Sequence, residues 1–364
     1  MHAAHLIEEL QALNPSVSFS GMGGLNMKNT GADIFIDADE LAVVGIVEVL
    51  AKYGLIKKAL NTLKQHLKQN RPDLLILIDY QEFNQKLAAY AKSIGIKVLF
   101  YIGPQVWAWR PKRVHKMARI VDQMAVIFPF EVPLYQTAHV AVEFTGHPLV
   151  DEVIPDKTPA QARSLLGLQG VVTVGLFPGS RTGEIQNVLP VMLETAKILK
   201  AHDAGLQFTL PIASTLKKDS FNAYQEDIDA LDIHLIQNNS YDVMQACDAI
   251  MTASGTATLE IGLMEIPMTI VYRISSLSYA ILKRMVKIKH IGLVNILSDK
   301  EIVREFIQEN AKPDDIAREI IKILDDDNYN KIMREHLGLL RQKLGEGGGS
   351  KNVARLALKM LDDE

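Results

Sequence analysis

The chain is poor in cysteine: Cys247 stands alone among 364 residues. No disulfide can form within one chain and a cysteine-based metal site is excluded, which fits a reducing cytoplasm. Long apolar runs are missing as well. None reaches the roughly 18 residues that a membrane-crossing helix needs. No basic stretch followed by an apolar one opens the chain, so no signal peptide is expected. The ten histidines form no HxxxH spacing, so a metal site is not expected. No cofactor is expected of this chain. An excess of positive charge is missing too, and a formal net charge of −4 argues against nucleic acid as the main partner. What is present is 48% hydrophobic and 23% charged residues, enough for a substantial core in a chain of two-domain length.

The pattern alternates along the chain. Helices are expected over 2–13, 46–70, 84–94 and 111–120, with strands over 17–20, 74–78, 97–102, 123–127 and 142–145. Prolines 148, 155 and 159 then mark a hinge over 149–165, and Thr158 is placed to cap a helix over 159–166. A second series follows, with strands over 171–177, 207–211, 233–236, 248–252 and 268–272. Such alternation predicts an α/β protein with two doubly wound, mostly parallel sheets, Rossmann-like domains with a cleft between them. The expected division is 1–160, 161–340 and a C-terminal helical segment over 341–364. Glycines 345 and 347–349 predict a flexible bend before a last helix over 351–362, which docks on the first domain or on a partner subunit. The chain opens directly in a helix, His2 to Leu13, where a doubly wound domain ordinarily begins with a strand.

Two small-residue turns carry the strongest chemical signal. Leu176-Phe-Pro-Gly-Ser-Arg181 and Ser254-Gly-Thr-Ala-Thr-Leu-Glu260 each follow an apolar strand and open into a helical pattern. Turns at the carboxyl ends of parallel strands are where open α/β sheets bind ligands. Small residues let backbone N–H groups approach an anion, and the helix N-terminus adds its positive dipole end. Arg181 adds a permanently charged planar fork suited to phosphate. Glu260, one turn into its helix, suits ribose hydroxyls. Ordinary strand-to-helix turns are the alternative for either segment alone; the pair points to a nucleotide-diphosphate site.

Other segments point the same way with less force. Asp79 ends the buried run Leu74-Leu-Ile-Leu-Ile78 and is the candidate general base, with Glu82 as competitor. Its alternative role is a helix cap, shared with Asn84. Val106-Trp107-Ala-Trp109-Arg110-Pro-Lys112-Arg113 sets both tryptophans beside cations at another strand tip, suited to sugar and phosphate, or to core packing with a solvated basic face. Residues 41–50 and 281–289 combine apolar and cationic residues and suit a membrane interface, or buried helices with basic edges. Gly21-Met-Gly-Gly24, expected after a strand, is a weak dinucleotide fingerprint because Asn26 replaces its third glycine. His147, in Gly-His-Pro, is either catalytic or a ring that hydrogen-bonds backbone at a domain junction.

Taken in order, these motifs resemble the lipid-A-disaccharide synthase family over nearly the whole chain. The resemblance rests on Glu40-Leu-Ala-Val-Val-Gly-Ile-Val-Glu-Val-Leu50, Val106-Trp-Ala-Trp-Arg110, Pro129-Phe-Glu131, Gly146-His-Pro148, Pro178-Gly-Ser-Arg181, Ser254 to Glu260, Val271-Tyr-Arg273 and Asn295-Ile-Leu with Glu301 and Gln308. It implies a GT-B fold and an inverting, metal-independent transfer from UDP-2,3-diacylglucosamine to 2,3-diacylglucosamine 1-phosphate. By likeness Asp79 matches the base and Arg181 the UDP-phosphate arginine. Ser180, Ser254, Gly255, Thr256, Glu260, Arg273, Asn295, Glu301 and Gln308 fall in the nucleotide site, and Trp109 and Arg110 among the substrate contacts. The family also implies a homodimer exchanging C-terminal segments and peripheral association with the cytoplasmic face of the inner membrane.

Three departures stand out. The family's opening strand and its Gly-Glu-Ala/Pro-Ser-Gly-Asp turn are absent, Tyr80-Gln-Glu82 replaces Pro-Asp or Pro-Gly, and Val294 and Ser298-Asp299 replace Pro and Ala-Gly. Two other readings compete: a UDP-N-acetylglucosamine 2-epimerase-like enzyme, and an inactive UDP-sugar or lipid binder.

Overall fold

The structure is a computed structural model. It describes every residue except 39–40, 42–51, 109–112, 169–170, 276–278, 280–288 and 363–364. Two compact units emerge, Met1–Asp151 with Leu344–Glu364, and Glu152–Lys343.

In the first unit, strands β3 (Leu74–Ile78), β4 (Lys97–Tyr101), β5 (Gln123–Val126) and β6 (Val142–Phe144) form a parallel sheet in that order. Helices Tyr53–Asn70, Gln81–Ser93 and Val114–Ile120 contribute Leu63, Leu87 and Met117 to one core with Val98 and Phe100 of β4. The other face, through Leu99, Tyr101 and Ala125, is covered by helix His2–Leu13 and the last helix, Gly349–Asp362. Two earlier strands, β1 (Ser20–Gly23) and β2 (Asp33–Asp37), pair only with each other. This departs from one continuous sheet. A groove runs between the two sheets, lined by Phe19, Ser20, Leu74, Ile76 and Ile78. Gly21-Met-Gly23 does not follow a strand but forms β1 itself, so the glycines serve the ladder and not a phosphate turn.

The second unit carries six parallel strands in the order β12-β11-β10-β7-β8-β9. They are β7 (Thr173–Phe177), β8 (Gln207–Ile212), β9 (Ile233–Gln237), β10 (Ala249–Ala253), β11 (Met268–Tyr272) and β12 (Glu305–Ile307). Every residue of β7 and β10 is buried, as parallel strands covered on both faces require. Helix Pro313–Asp325 shows how the cover forms. Proline opens it, Asp314 and Asp315 suit its positive end, and Ile316, Ile320 and Ile323 recur on the buried face.

Thr158 caps helix Pro159–Leu165 as expected, through a reciprocal pair with Gln161. The glycines at 345–349 are not slack. Gly345, Gly347 and Gly348 take positive φ, Asp151 accepts hydrogen bonds from the N–H of Gly348 and Gly349, and a Cβ at Gly349 would lie 3.2 Å from the carbonyl oxygen of Gly146. The bend is built into the first unit by close backbone approach.

Candidate active site

In the second unit the chain winds from β7 outward through β8 and β9. It then returns to place β10 on the opposite side of β7. That reversal creates a topological switch point between neighbouring strands β7 and β10, where open α/β sheets bind ligands. Both small-residue turns sit at its carboxyl end.

The turn after β7 leads into helix Thr182–His202. Gly179 has φ 111°, open to glycine and strained for other residues, and a side chain there would strike the Glu184 carboxylate. Glu184 Oε2 accepts from the N–H of Ser180 at 2.8 Å and of Arg181 at 3.3 Å, while Oε1 meets Arg181 Nη1 at 3.4 Å. Sequence reasoning passed over Glu184, although the spacing from Arg181 is that of a capping box. It fixes the turn and leaves the first-turn N–H groups of Thr182 and Gly183, which have no carbonyl within the helix, for an anion. Arg181 itself is solvent-exposed. Thr215 Oγ1 donates to the Ser180 carbonyl at 2.7 Å and steadies the turn from the loop after β8.

The turn after β10 leads into helix Thr256–Leu263. Ser254 Oγ donates to the Ile291 carbonyl at 2.9 Å, and Thr258 Oγ1 to the Gly255 carbonyl at 2.8 Å. Gly255 and Thr256 are exposed. Glu260 Oε1 accepts from the Tyr241 hydroxyl at 3.1 Å. Burial raises the Glu260 carboxyl above its ordinary value; Tyr241 works against that shift and Glu152 adds to it.

The remaining residues expected here separate into two groups. Arg273 is exposed and directly follows β11. Asn295 is fully buried: its amide donates to Val303 O and Glu305 Oε1, both at 2.8 Å, and its Oδ1 accepts from the N–H of Ile302 and Val303. Gln308, also buried, accepts from Ile274 N and donates to Ile274 O. Both brace the connections around β11 and β12 from behind. Glu301 accepts from Glu305 N at 3.3 Å on the amino-terminal side of β12, so the structure does not bring it to the turns. Glu305, which the motif reading missed, accepts from Ile291 N, Gly292 N and Asn295, and holds the loop that Ser254 touches.

In the first unit Asp79 stands at the carboxyl tip of β3. Its backbone and that of Tyr80 are left-handed, with φ 50° and 39°. Two such non-glycine residues in sequence cost on the order of 1–3 kcal/mol each and need outside support. Asn84 supplies it, donating to the carbonyls of Ile78 at 3.1 Å and Asp79 at 2.8 Å, while Asp79 N reaches Tyr101 O. Neither residue caps the next helix, whose N-cap is Tyr80 with no side-chain bond. Burial raises the Asp79 carboxyl, offset by the Tyr80 N–H and by His2. Glu82 lies out on the helix surface, paired with Arg113 at 2.9 Å.

Three motifs converge beside these tips. Trp107 meets Phe130 edge-on at 5.2 Å, Phe130 stacks on Phe128 at 5.1 Å, and Phe128 lies 5.1 Å from the His147 ring. Glu131 accepts from Phe128 N and is buried, which pushes its carboxyl up to about 7. His147 Nδ1 accepts from Leu149 N, and burial lowers it to about 4. It thus hydrogen-bonds backbone, the plainer of its two expected roles. Trp107 packs in this cluster, while Trp109, Arg110 and Lys112 lie outside the described residues, as do residues 42–50 and 281–288 of the two membrane-like segments. Among the described residues no helix is long and apolar enough to cross a membrane.

A family model described as lipid-A-disaccharide synthetase matches residues 1–357. Lipid-A-disaccharide synthase of Geobacter metallireducens is 49% identical over 99% of this chain and 94% of its own length. That of Coxiella burnetii is 38% identical over 98% and 94%. Among solved structures, UDP-GlcNAc 2-epimerase from Neisseria meningitidis bound to UDP-GlcNAc gives a TM-score of 0.67 at 12% identity, covering 98% of this chain and 95% of that one. A glycosyltransferase from Rickettsia africae gives 0.61 at 13% identity, covering 100% and 95%. At such identities the structural likeness speaks for the α/β fold with parallel sheets, the GT-B architecture, and for nothing finer.

Proposed function

The chain belongs to the lipid-A-disaccharide synthase family and is a glycosyltransferase of lipid A biosynthesis, and from that premise we propose how its residues divide the reaction. The donor is UDP-2,3-diacylglucosamine and the acceptor 2,3-diacylglucosamine 1-phosphate. Asp79 takes the proton from the acceptor 6-hydroxyl as that oxygen attacks the anomeric carbon. The bond from that carbon to the β-phosphate oxygen breaks with inversion, and UDP departs. Arg181, Ser180 and the first-turn N–H groups of Thr182 and Gly183 receive its negative charge. Ser254, Gly255 and Thr256 supply the second cradle, Glu260 accepts from the ribose and Arg273 adds charge at the tip of β11.

The observation that carries this reading is the pair of turns on adjacent strands β7 and β10, in a chain matched to the family over residues 1–357. Asp79 is preferred to Glu82 because burial raises its carboxyl, which favours a base near neutral pH, and because Glu82 is engaged by Arg113 at the surface. Trp109 and Arg110 join the acceptor side. The apolar stretch 41–50 rests on the cytoplasmic face of the inner membrane, where the acyl chains of both substrates are held.

The test is UDP release from the donor with the monophosphate acceptor in detergent. Asp79→Asn lowers kcat by about 10²–10⁴-fold with little change in UDP affinity. Arg181→Ala weakens UDP binding and slows turnover together. Full activity of either variant removes that residue from the mechanism. Binding of UDP without any turnover by the parent chain leaves it a binder.

A further inference from the structure

Glu260 holds one hydrogen bond that no motif announces. Tyr241 lies 19 residues upstream in the first turn of helix Ser240–Ala246, which follows β9. Its hydroxyl donates to Glu260 Oε1 at 3.1 Å. Tyr241 is 36% exposed and Glu260 half-buried, so the pair stands at the edge of the surface and not inside the core. A carboxylate on a flexible two-carbon stem rotates through several rotamers, and one donor fixed on another helix selects among them. The phenol engages Oε1 and leaves Oε2 as an acceptor. Glu152 also bears on both residues as a like charge to Glu260. A hydrogen bond from a neutral donor therefore favours the ionised carboxylate that a ribose hydroxyl needs.

We propose that Tyr241 is a positioning residue that fixes Glu260 by its hydroxyl so that the second carboxylate oxygen reads a ribose hydroxyl of the uridine diphosphate donor. This inference rests on the proposed role of Glu260. It adds a specificity determinant from a helix that carries none of the recognised motifs.

The experiment measures dissociation constants for UDP, 2′-deoxy-UDP and 3′-deoxy-UDP by calorimetry on the full chain. The parent, Tyr241→Phe, Glu260→Ala and the double variant are compared. The parent prefers UDP over one deoxy form. Tyr241→Phe reduces that preference roughly three- to tenfold, the worth of one hydrogen bond, while affinity for the same deoxy form stays close to that of the parent. In the double variant, loss of Tyr241 changes nothing beyond the effect of Glu260→Ala. A parental preference in Tyr241→Phe, with the preference lost in Glu260→Ala, overturns the inference and spares the role of Glu260. A parental preference in Glu260→Ala removes Glu260 from the ribose, and the inference falls with it. A further loss in the double variant means that Tyr241 touches the nucleotide directly and is no positioning residue. Equal thermal midpoints of the unliganded proteins confirm that folding is not what changed.

Discussion

At the scale of single residues, two buried groups in one aromatic cluster respond to pH in opposite directions. Glu131 is 2% exposed and its carboxyl is pushed up to about 7 by burial, with the Phe128 N–H as the main opposing influence. Between about 4.5 and 7 the folded chain keeps a proton that the unfolded chain has released. Stability from this group is present at low pH and is lost as pH rises through that window. His147 is 7% exposed and lowered to about 4, chiefly by burial. Here the unfolded chain holds the extra proton between 4 and 6.5, so stability is lost as pH falls. Each contribution is on the order of 3 kcal/mol at most. Two variants separate them in thermal denaturation across pH 4 to 8. Glu131→Gln gains on the parent as pH rises from about 4.5 to 7. His147→Asn, whose Oδ1 stands where Nδ1 accepts from Leu149, gains on the parent as pH falls from about 6.5 to 4. Parallel curves for all three proteins would show that neither proton is linked to folding.

At the scale of elements, Asn295 tests what a motif residue does. Its side chain makes four hydrogen bonds, to Val303 O, Glu305, Ile302 N and Val303 N, from a fully buried position. Asn295→Ala leaves these groups unsatisfied and costs roughly 3 kcal/mol, which lowers Tm by about 6–12 °C for a unit of this size. UDP binding weakens as a consequence, because Glu305 then loses its hold on the loop at Ile291 and Gly292. A residue that touched the nucleotide directly would weaken binding with no loss of Tm. This distinction marks the limit of what the sequence could convey. The turns after β7 and β10 were legible because strand, small residues and helix follow one another within about ten positions. The Tyr241–Glu260 and Asn295–Glu305 contacts join different elements and left no local trace. Among the strands, β3 and β7 stood out as apolar runs. β2, Asp33–Asp37, went unnoticed because aspartates bound it, and β12 because it spans three residues of an edge. The helix expected from 84 begins at Gln81, since the left-handed pair Asp79-Tyr80 turns the chain from strand to helix without a loop.

At the scale of the whole molecule, the chain leaves the first unit near Asp151 and returns to it at Leu344. Its last helix, Gly349–Asp362, packs Val353, Ala354 and Ala357 against Leu6 and Leu10 of the first helix and against Leu99, Tyr101 and Ala125 of the sheet. The first unit therefore completes its core only after the second has been synthesised. A charge at Ala357, which is fully buried, has no partner there and expels the helix. Calorimetry of Ala357→Asp is expected to show a lower midpoint for the transition of the first unit. The transition of the second unit, identified by its rise with UDP, stays where it was. The face that receives the helix is the same whether the helix comes from its own chain or from a second copy, so the two cases are told apart in solution. If copies exchange the helix, the first transition of the parent rises with protein concentration, and Ala357→Asp sediments as a monomer. If the helix stays on its own chain, the midpoint is independent of concentration and the variant loses stability without a change in mass. An unchanged first transition in Ala357→Asp would mean that the helix contributes nothing to that core, against the burial of five of its side chains.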